Sequence, residues 1–134
     1  MTPELVQQLF ARRIVRDFFR FAAVGAVATA AHYTVLIALK ELGGMHPVWA
    51  TVCGYGVGAV VSYTLNRIFT FEVKPAYGRG LVKFLAVIAV GGFLNAGIMA
   101  FFLQFGLHYM IAQLIATGLV LIYNFLAARF LVFK

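Results

Sequence analysis

The sequence predicts an all-α integral membrane protein with four transmembrane helices. We expect two helical-hairpin repeats of the same orientation, preceded by an N-terminal amphipathic interfacial helix. Three observations predict this fold: apolar runs of membrane-spanning length, the positions of the basic residues, and an internal duplication of about 62 residues. Because 63% of the 134 residues are hydrophobic and only 11% are charged, the chain is too apolar for a soluble domain of this size.

Four apolar runs reach the roughly 20 residues that a helix needs to cross a bilayer. They contain no Asp, Glu, Lys or Arg, and they are Phe21–Leu39, Val48–Asn66, Phe84–Leu107 and Tyr109–Ala128. Residues 1–19 precede the first run as an amphipathic arm. Thr2 is its predicted N-cap and Pro3 its first helical residue. We expect this arm to lie in the inner headgroup region.

The basic residues predict the topology. Ten of the eleven Lys and Arg lie in three segments: Arg12, Arg13, Arg16 and Arg20 in the arm, Arg67, Lys74, Arg79 and Lys83 in the centre, and Arg129 and Lys134 at the end. Four spans place these segments on one side, and the positive-inside rule makes that side cytoplasmic. We therefore expect the protein to lie in the cytoplasmic (inner) membrane, with both termini in the cytoplasm. The net charge of +7 then reflects contact with anionic lipids and not with nucleic acid.

The chain contains an internal duplication. At an offset of 63, Arg20 matches Lys83 and His32 matches Asn95; at an offset of 62, Ser62 matches Asn124 and Arg67 matches Arg129. The repeated unit is a two-helix hairpin, so both copies enter the membrane with the same orientation, related by an axis along its normal. A single membrane domain follows: arm 1–19, first hairpin repeat 20–72, cytoplasmic linker 73–82 and second hairpin repeat 83–134.

Two polar residues lie deep in the predicted spans. His32 follows Phe21 by eleven residues, and Asn95 follows Phe84 by the same distance. At about 1.5 Å per residue, both lie near the bilayer midplane, where we expect them to face each other across the axis. Polar groups at this depth either serve function or form an interhelical hydrogen bond, and the sequence leaves both roles open.

Four cations mark the predicted inner ends of the helices. They are Arg20, Arg67, Lys83 and Arg129, and the polar residues beside them are Ser62, Asn66 and Asn124. If the helices surround one axis, these cations form a ring at the inner leaflet. Arginine binds phosphate with two parallel hydrogen bonds, so the ring would suit a lipid-linked phosphate. The alternative is that each cation extends separately to the lipid headgroups.

The sequence does not favour an enzyme. The predicted spans hold no carboxylate, and no nucleophile stands in an evident pair with a base. The lone cysteine, Cys53, excludes an internal disulfide and a multi-cysteine metal site. We expect no metal and no cofactor.

Several spaced motifs carry a family resemblance: Arg20-Phe21 with Val24-Gly25 and Thr29, the stretch Ser62 to Phe71, Lys83-Phe84, and the stretch Asn124 to Phe133. In these motifs the chain resembles the GtrA-like family of small four-helix membrane proteins. The resemblance implies movement of polyprenyl-phosphate-linked sugars, such as undecaprenyl-phosphate glucose, across the membrane. It also implies a polyprenyl-phosphate glycosyltransferase as partner, and it adds Thr29 to the candidate site.

The leading interpretation is a flippase for lipid-linked sugar that serves cell-surface polysaccharide or cell-wall glycosylation. One alternative is a non-transporting anchor for the glycosyltransferase. A small multidrug-type exporter is disfavoured because the first span lacks that family's glutamate. Four helices enclose little space, so we expect a homo-oligomer, a dimer or larger. Because Ala128 stands where the first repeat has Asn66, the first hairpin is expected to provide the stronger half of the site.

Overall fold

The fold is entirely helical within the part of the chain that the structure describes. A computed structural model describes the backbone of residues 1–134, while the side chains of residues 47, 48 and 109 lie outside the description. Four α-helices follow one another: α1 (Pro3–Ile37), α2 (Pro47–Leu65), α3 (Tyr77–Leu103) and α4 (Tyr109–Ala127). Five-residue π-helical turns end three of them: Ala38–Leu42 after α1, Asn66–Thr70 after α2 and Ala128–Val132 after α4.

The first compact unit, Met1–Glu72, is a hairpin of α1 and α2. Gly44 adopts a φ of 65° in its turn, a left-handed conformation that glycine reaches without a steric penalty. Phe21, Val24 and Ala28 of α1 are buried in this unit, and Ala50 and Tyr63 of α2 are fully buried. Small residues at the crossing let the helices approach closely, and this packing is what joins helices in lipid.

The second compact unit, Val73–Lys134, is a hairpin of α3 and α4. Gly106 takes the positive φ in its turn, at 76°. Phe84 and Val87 of α3 are buried, as are Ala112, Ala116 and Phe125 of α4. Large apolar side chains cover its outside; Phe93, for example, is 81% exposed. Such a surface suits contact with lipid or other apolar groups rather than with water.

The offsets seen in the sequence also relate the buried positions of the two hairpins. At an offset of 63, Phe21, Val24 and Ala28 correspond to Phe84, Val87 and Gly91, which are buried as well. At an offset of 62, Tyr63 corresponds to Phe125. The turn glycines Gly44 and Gly106 are separated by 62 residues too. Each unit thus buries the same positions of its own hairpin.

The arm and the first predicted span form one helix. Thr2 accepts a hydrogen bond from the Leu5 amide at 3.3 Å, which confirms the predicted N-cap. From Pro3 the α-helix continues without a break to Ile37. The reason is visible in the sequence: residues 4–24 contain neither Gly nor Pro, so nothing interrupts the helix between arm and span. The expected location of the arm in the headgroup region stays a prediction.

The predicted linker 73–82 overlaps the start of α3. α3 begins at Tyr77, directly after Ala76, so the non-helical connection covers only residues 71–76. Gly78 and Gly80 lie in the first turn of this helix, and glycine is tolerated in a first turn that tertiary packing holds. Gly80 is buried against its own hairpin, which provides that packing.

Among the residues that the structure describes, three helical segments are long and apolar enough to cross a membrane: Pro3–Leu42, Tyr77–Leu103 and Met110–Val132. The remaining helix, α2, has 19 residues, and residues 47 and 48 at its start lie outside the described side chains. Its membrane crossing stays a prediction.

Candidate functional site

The two arginines predicted to bind phosphate lie in π-helical turns at matching positions. Arg67 is the second residue of the turn Asn66–Thr70, and Arg129 is the second residue of the turn Ala128–Val132. In each turn a backbone amide bonds to the carbonyl five residues earlier: Phe71 to Asn66 at 3.1 Å, and Phe133 to Ala128 at 2.8 Å. π-helical turns are rare and often occur at functional sites. Both arginine side chains are half-buried.

The amide of Asn66 is enclosed within the first hairpin. Asn66 is fully buried; its Nδ2 donates to Ser62 Oγ at 3.3 Å, and its Oδ1 accepts from Thr70 Oγ1 at 2.7 Å. Both ends of the amide are therefore used inside the protein, in a chain that links the end of α2 to its π-helical turn. In this conformation Asn66 connects α2 to the turn that bears Arg67, and its contact with a ligand stays a prediction.

Arg20 and two acids complete the end of the first hairpin. Arg20 Nη1 donates to the carbonyl of Phe69 at 3.2 Å, a carbonyl in the same π-helical turn. Arg16 lies 3.3 Å from Asp17 and 3.4 Å from Glu72. Asp17 is only 4% exposed. These carboxylates offset part of the positive charge at this end, and the expectation that the first hairpin provides the stronger half of the site stays a prediction.

The corresponding end of the second hairpin is different. Lys83 is exposed, and the Arg129 guanidinium lies 5.9 Å from the centre of the Phe130 ring. Asn124 Oδ1 is buried without a hydrogen-bond partner among the described residues. It lies 2.5 Å from where a Cβ on Gly91 would stand, so it points along a Cα–H bond of that glycine. Such C–H···O contacts recur where helices pack closely.

The deep residues form one interhelical hydrogen bond in each hairpin. In the first, His32 Nε2 lies 3.1 Å from Thr51 Oγ1. In the second, Gln113 Nε2 donates to Asn95 Oδ1 at 3.2 Å and to Thr117 Oγ1 at 2.8 Å. Thr51 and Gln113 are 62 residues apart, as the duplication requires. His32 and Asn95 therefore each bond within their own hairpin.

Thr29 makes a local contact. Its hydroxyl donates to the Gly25 carbonyl one turn earlier at 2.9 Å, and the residue is exposed. Thr and Ser commonly bond to the preceding helical turn in this way. Thr29 is therefore satisfied within α1, while one face of its side chain remains accessible.

Some residues at these positions were missed by sequence reasoning. Thr51 and Gln113 were detectable, since both are polar residues within apolar runs and are separated by the repeat offset. Asp17 lies in the predicted arm 1–19, and nothing in the local pattern indicates its burial. Within the first hairpin the structure brings Arg20 to the turn that holds Arg67, and Ser62 to Asn66.

These features define an α-helical membrane protein built from hairpins with cationic π-helical turns. The chain belongs to the GtrA/DPMS transmembrane-domain family, whose model matches residues 20–133. This membership associates it with glycosyl-lipid function at the membrane. A relative is the uncharacterized membrane protein YngA of Bacillus subtilis (strain 168), which is 29% identical over 120 residues, covering 89% of this chain and 80% of the relative.

Proposed function

We propose that this protein is a flippase that moves polyprenyl-phosphate-linked sugar from the inner to the outer leaflet of the cytoplasmic membrane. The sugar would then be used for cell-surface polysaccharide or cell-wall glycosylation. In this proposal all four helices span the bilayer, both termini are cytoplasmic, and the hairpins are same-orientation repeats. The protein does no covalent chemistry, and a separate glycosyltransferase makes the lipid-linked sugar.

The observation that carries the proposal is the pair of arginine-bearing π-helical turns. Arg67 and Arg129 each follow the first residue of a five-residue turn, 62 residues apart. An arginine at the cytoplasmic end of a span matches a phosphate at the headgroup level, because the guanidinium forms bidentate, charge-assisted hydrogen bonds with phosphate oxygens. Duplication supplies two such groups, and Lys83 adds an exposed cation to the second.

The interhelical pairs support a route for the sugar. His32 with Thr51, and Asn95 with Gln113 and Thr117, place hydroxyl, imidazole and amide groups along otherwise apolar helices. All these side chains except Thr117 are half-buried, and Thr117 is exposed. Polar groups in a span normally face a polar cavity, a protein partner or a substrate. Sugar hydroxyls exchange hydrogen bonds readily with such groups.

A second candidate function is a membrane partner that recruits the glycosyltransferase. The continuous helix α1 favours it, because residues 3–13 are exposed throughout. Leu5, Leu9 and Phe10 are among them, followed by Arg12 and Arg13. An amphipathic helix with an apolar face and adjacent cations binds either a lipid surface or a groove of a partner protein.

The test is transfer of a labelled sugar lipid across vesicles that contain the purified full-length protein. We expect Arg67→Ala combined with Arg129→Ala to abolish transfer, whereas Lys40→Ala, which removes a cation after α1, leaves it intact. Equal folding of the variants is checked by thermal unfolding. Transfer that is unchanged by the double substitution would overturn the flippase mechanism. Absence of transfer by the native chain, together with co-purification of a glycosyltransferase, would favour the partner function instead.

A further inference from the structure

Four side chains of the first hairpin form a compact group, here called the tyrosine–histidine cluster: His32 and Tyr33 of α1 with Thr51 and Tyr55 of α2. The His32 ring stacks nearly parallel on Tyr33, with ring centres 5.3 Å apart and planes 7° apart. Tyr55 meets it edge-on, at 5.4 Å and 76°. The hydrogen bond with Thr51 fixes the His32 Nε2 atom at 3.1 Å.

The cluster is built on two glycines of α2. A Cβ on Gly54 would lie 2.6 Å from both Cδ2 and the carbonyl oxygen of His32, and one on Gly58 would lie 3.3 Å from the His32 Cβ. The absent side chains let the histidine ring lie directly on the backbone of α2. Packing against the backbone of α2 therefore fixes the position of the His32 ring, and Tyr33 and Tyr55 contact the same ring.

Both tyrosines of the cluster are more than half exposed. Tyr33 is 55% exposed and Tyr55 is 58% exposed. Within the described part of the chain, neither hydroxyl forms a hydrogen bond, and His32 Nδ1 forms none either. In hydrocarbon a hydroxyl or ring nitrogen without a hydrogen bond is unfavourable, because no water is present to satisfy it. This face of the hairpin therefore requires a partner with hydrogen-bonding groups.

The chemistry of that partner follows from the groups present. Between Arg20 and Lys40 in the first helical segment, and throughout α2, the chain has no charged side chain. A phosphate would therefore find no cation here, and an acyl chain would leave the hydroxyls unsatisfied. A sugar ring has an apolar C–H face that can pack on the tyrosine rings. It also carries hydroxyl groups around its edge, which can donate hydrogen bonds to the tyrosine hydroxyls and accept them. Aromatic faces combined with a few polar groups are typical of sites for neutral small molecules.

We propose that the tyrosine–histidine cluster binds the sugar ring of the lipid-linked substrate. This inference rests on the proposed function and adds a location to it. Tyr55 precedes Arg67 by twelve residues, or about 18 Å along a helix. A single sugar joined directly to its phosphate is too short to touch both. The cluster is therefore a second binding site on the transport route, and the sugar occupies it after the phosphate has left Arg67.

The first experiment measures sugar binding without the lipid. Saturation-transfer NMR with methyl β-glucoside is recorded on the full-length protein in nanodiscs. We expect ring-proton signals with the native chain and a loss of roughly 2- to 10-fold with Tyr55→Leu, the range that an aromatic contact represents. Tyr33→Leu is a second, independent variant with the same expectation. Tyr77→Leu removes an exposed tyrosine at the start of α3 and is the matched control, with signals unchanged.

Two results would overturn the inference. One is a native chain without glucoside signals, or with signals that both cluster variants leave intact. The other is a change of oligomeric mass in Tyr55→Leu without a change in glucoside binding, which would make the cluster a contact between copies.

Vesicle transfer separates this inference from the proposed function. If the native chain transfers the sugar lipid but Tyr55→Leu leaves glucoside binding unchanged, only the assignment of the cluster as a sugar site is refuted. Tyr55-dependent glucoside binding without any transfer would refute only the flippase and keep the cluster as a sugar site.

Discussion

Gln113 donates its side-chain amide proton to Asn95 across 3.2 Å and so joins α4 to α3. The position 62 residues before Gln113 is Thr51, which bonds His32 at 3.1 Å and joins α2 to α1. The two hairpins therefore keep a hydrogen bond at the same place while its chemistry differs, imidazole with hydroxyl in one and amide with amide in the other. In lipid such bonds contribute about 0.6–2 kcal/mol each, enough to set the crossing of two helices.

Gly54 is expected to tolerate no side chain. In Gly54→Ala the new Cβ would lie 2.6 Å from the His32 carbonyl oxygen, a backbone atom that cannot rotate away. We expect the free energy of unfolding of the protein to fall by about 1–3 kcal/mol, the range for overpacked sites. Thermal unfolding in detergent measures the change.

Gly56 provides the matched control on the same helix. Nothing lies within 4 Å of a Cβ placed there, so Gly56→Ala gains helix propensity without a clash. A stability at or above that of the native chain is expected. Equal destabilisation by the two substitutions would contradict the close approach of His32 to α2.

Gly91 and Asn124 form a size-matched pair in the second hairpin. In Gly91→Ala the Cβ would lie 2.5 Å from Asn124 Oδ1, so we expect a loss of about 1–3 kcal/mol of stability. The residues at the corresponding positions of the first hairpin are Ala28 and Ser62. Adding Asn124→Ser should therefore restore stability, because it shortens the side chain and removes a buried carbonyl without a partner.

The neighbouring Gly92→Ala is the control for this pair, since its Cβ would meet nothing within 4 Å. Thermal unfolding of the single and double variants gives the coupling between the two positions. Additive effects of Gly91→Ala and Asn124→Ser would rule out direct contact between them.

The helices and the repeat-related residues could be predicted from the sequence. The length of an apolar run and the 62- or 63-residue spacing between similar residues are both visible in the chain itself. Thr2 as N-cap and the apolar runs are read directly from local patterns. The π-helical turns were not predictable, because Asn66 and Ala128 begin them with quite different side chains. The burial of Asp17 also depends on the packing of α1 against the turn after α2, a nonlocal contact. The hydrogen bonds of Asn66 to Ser62 and Thr70 were not predicted either, while its contact with a ligand stays a prediction.

Asn66 and Thr70 are expected to be strongly coupled. Asn66→Ala leaves the buried Thr70 hydroxyl without its 2.7 Å acceptor, and Thr70→Val leaves the Asn66 carbonyl without its donor. Each orphaned group should lower stability by about 1–3 kcal/mol. The second hairpin has Ala128 and Val132 at these positions, both buried. The double variant should therefore lose less stability than the sum of the single losses, as a double-mutant cycle would measure. If the loss of stability in the double variant equals the sum of the two single losses within about 0.5 kcal/mol, the coupling is contradicted.

Asp17 and Glu72 are a buried and an exposed carboxylate beside the same cation, Arg16. Arg16 Nη2 lies 3.3 Å from Asp17 and 3.4 Å from Glu72, but the side chain of Asp17 is 5% exposed and that of Glu72 is 67% exposed. Exposed ion pairs contribute about 0–1 kcal/mol because water screens them, whereas a buried group that loses its charge also loses hydrogen bonds that water does not replace. We therefore expect Asp17→Asn to lower the thermal stability measurably, by about 1–3 kcal/mol, and Glu72→Gln to leave it nearly unchanged. High salt should reduce the small Glu72 contribution further and leave the Asp17 effect largely in place, since salt screens buried pairs less. Equal effects for the two carboxylates, measured by thermal unfolding at low and high salt, would place Asp17 in contact with solvent and contradict its packing against the hairpin.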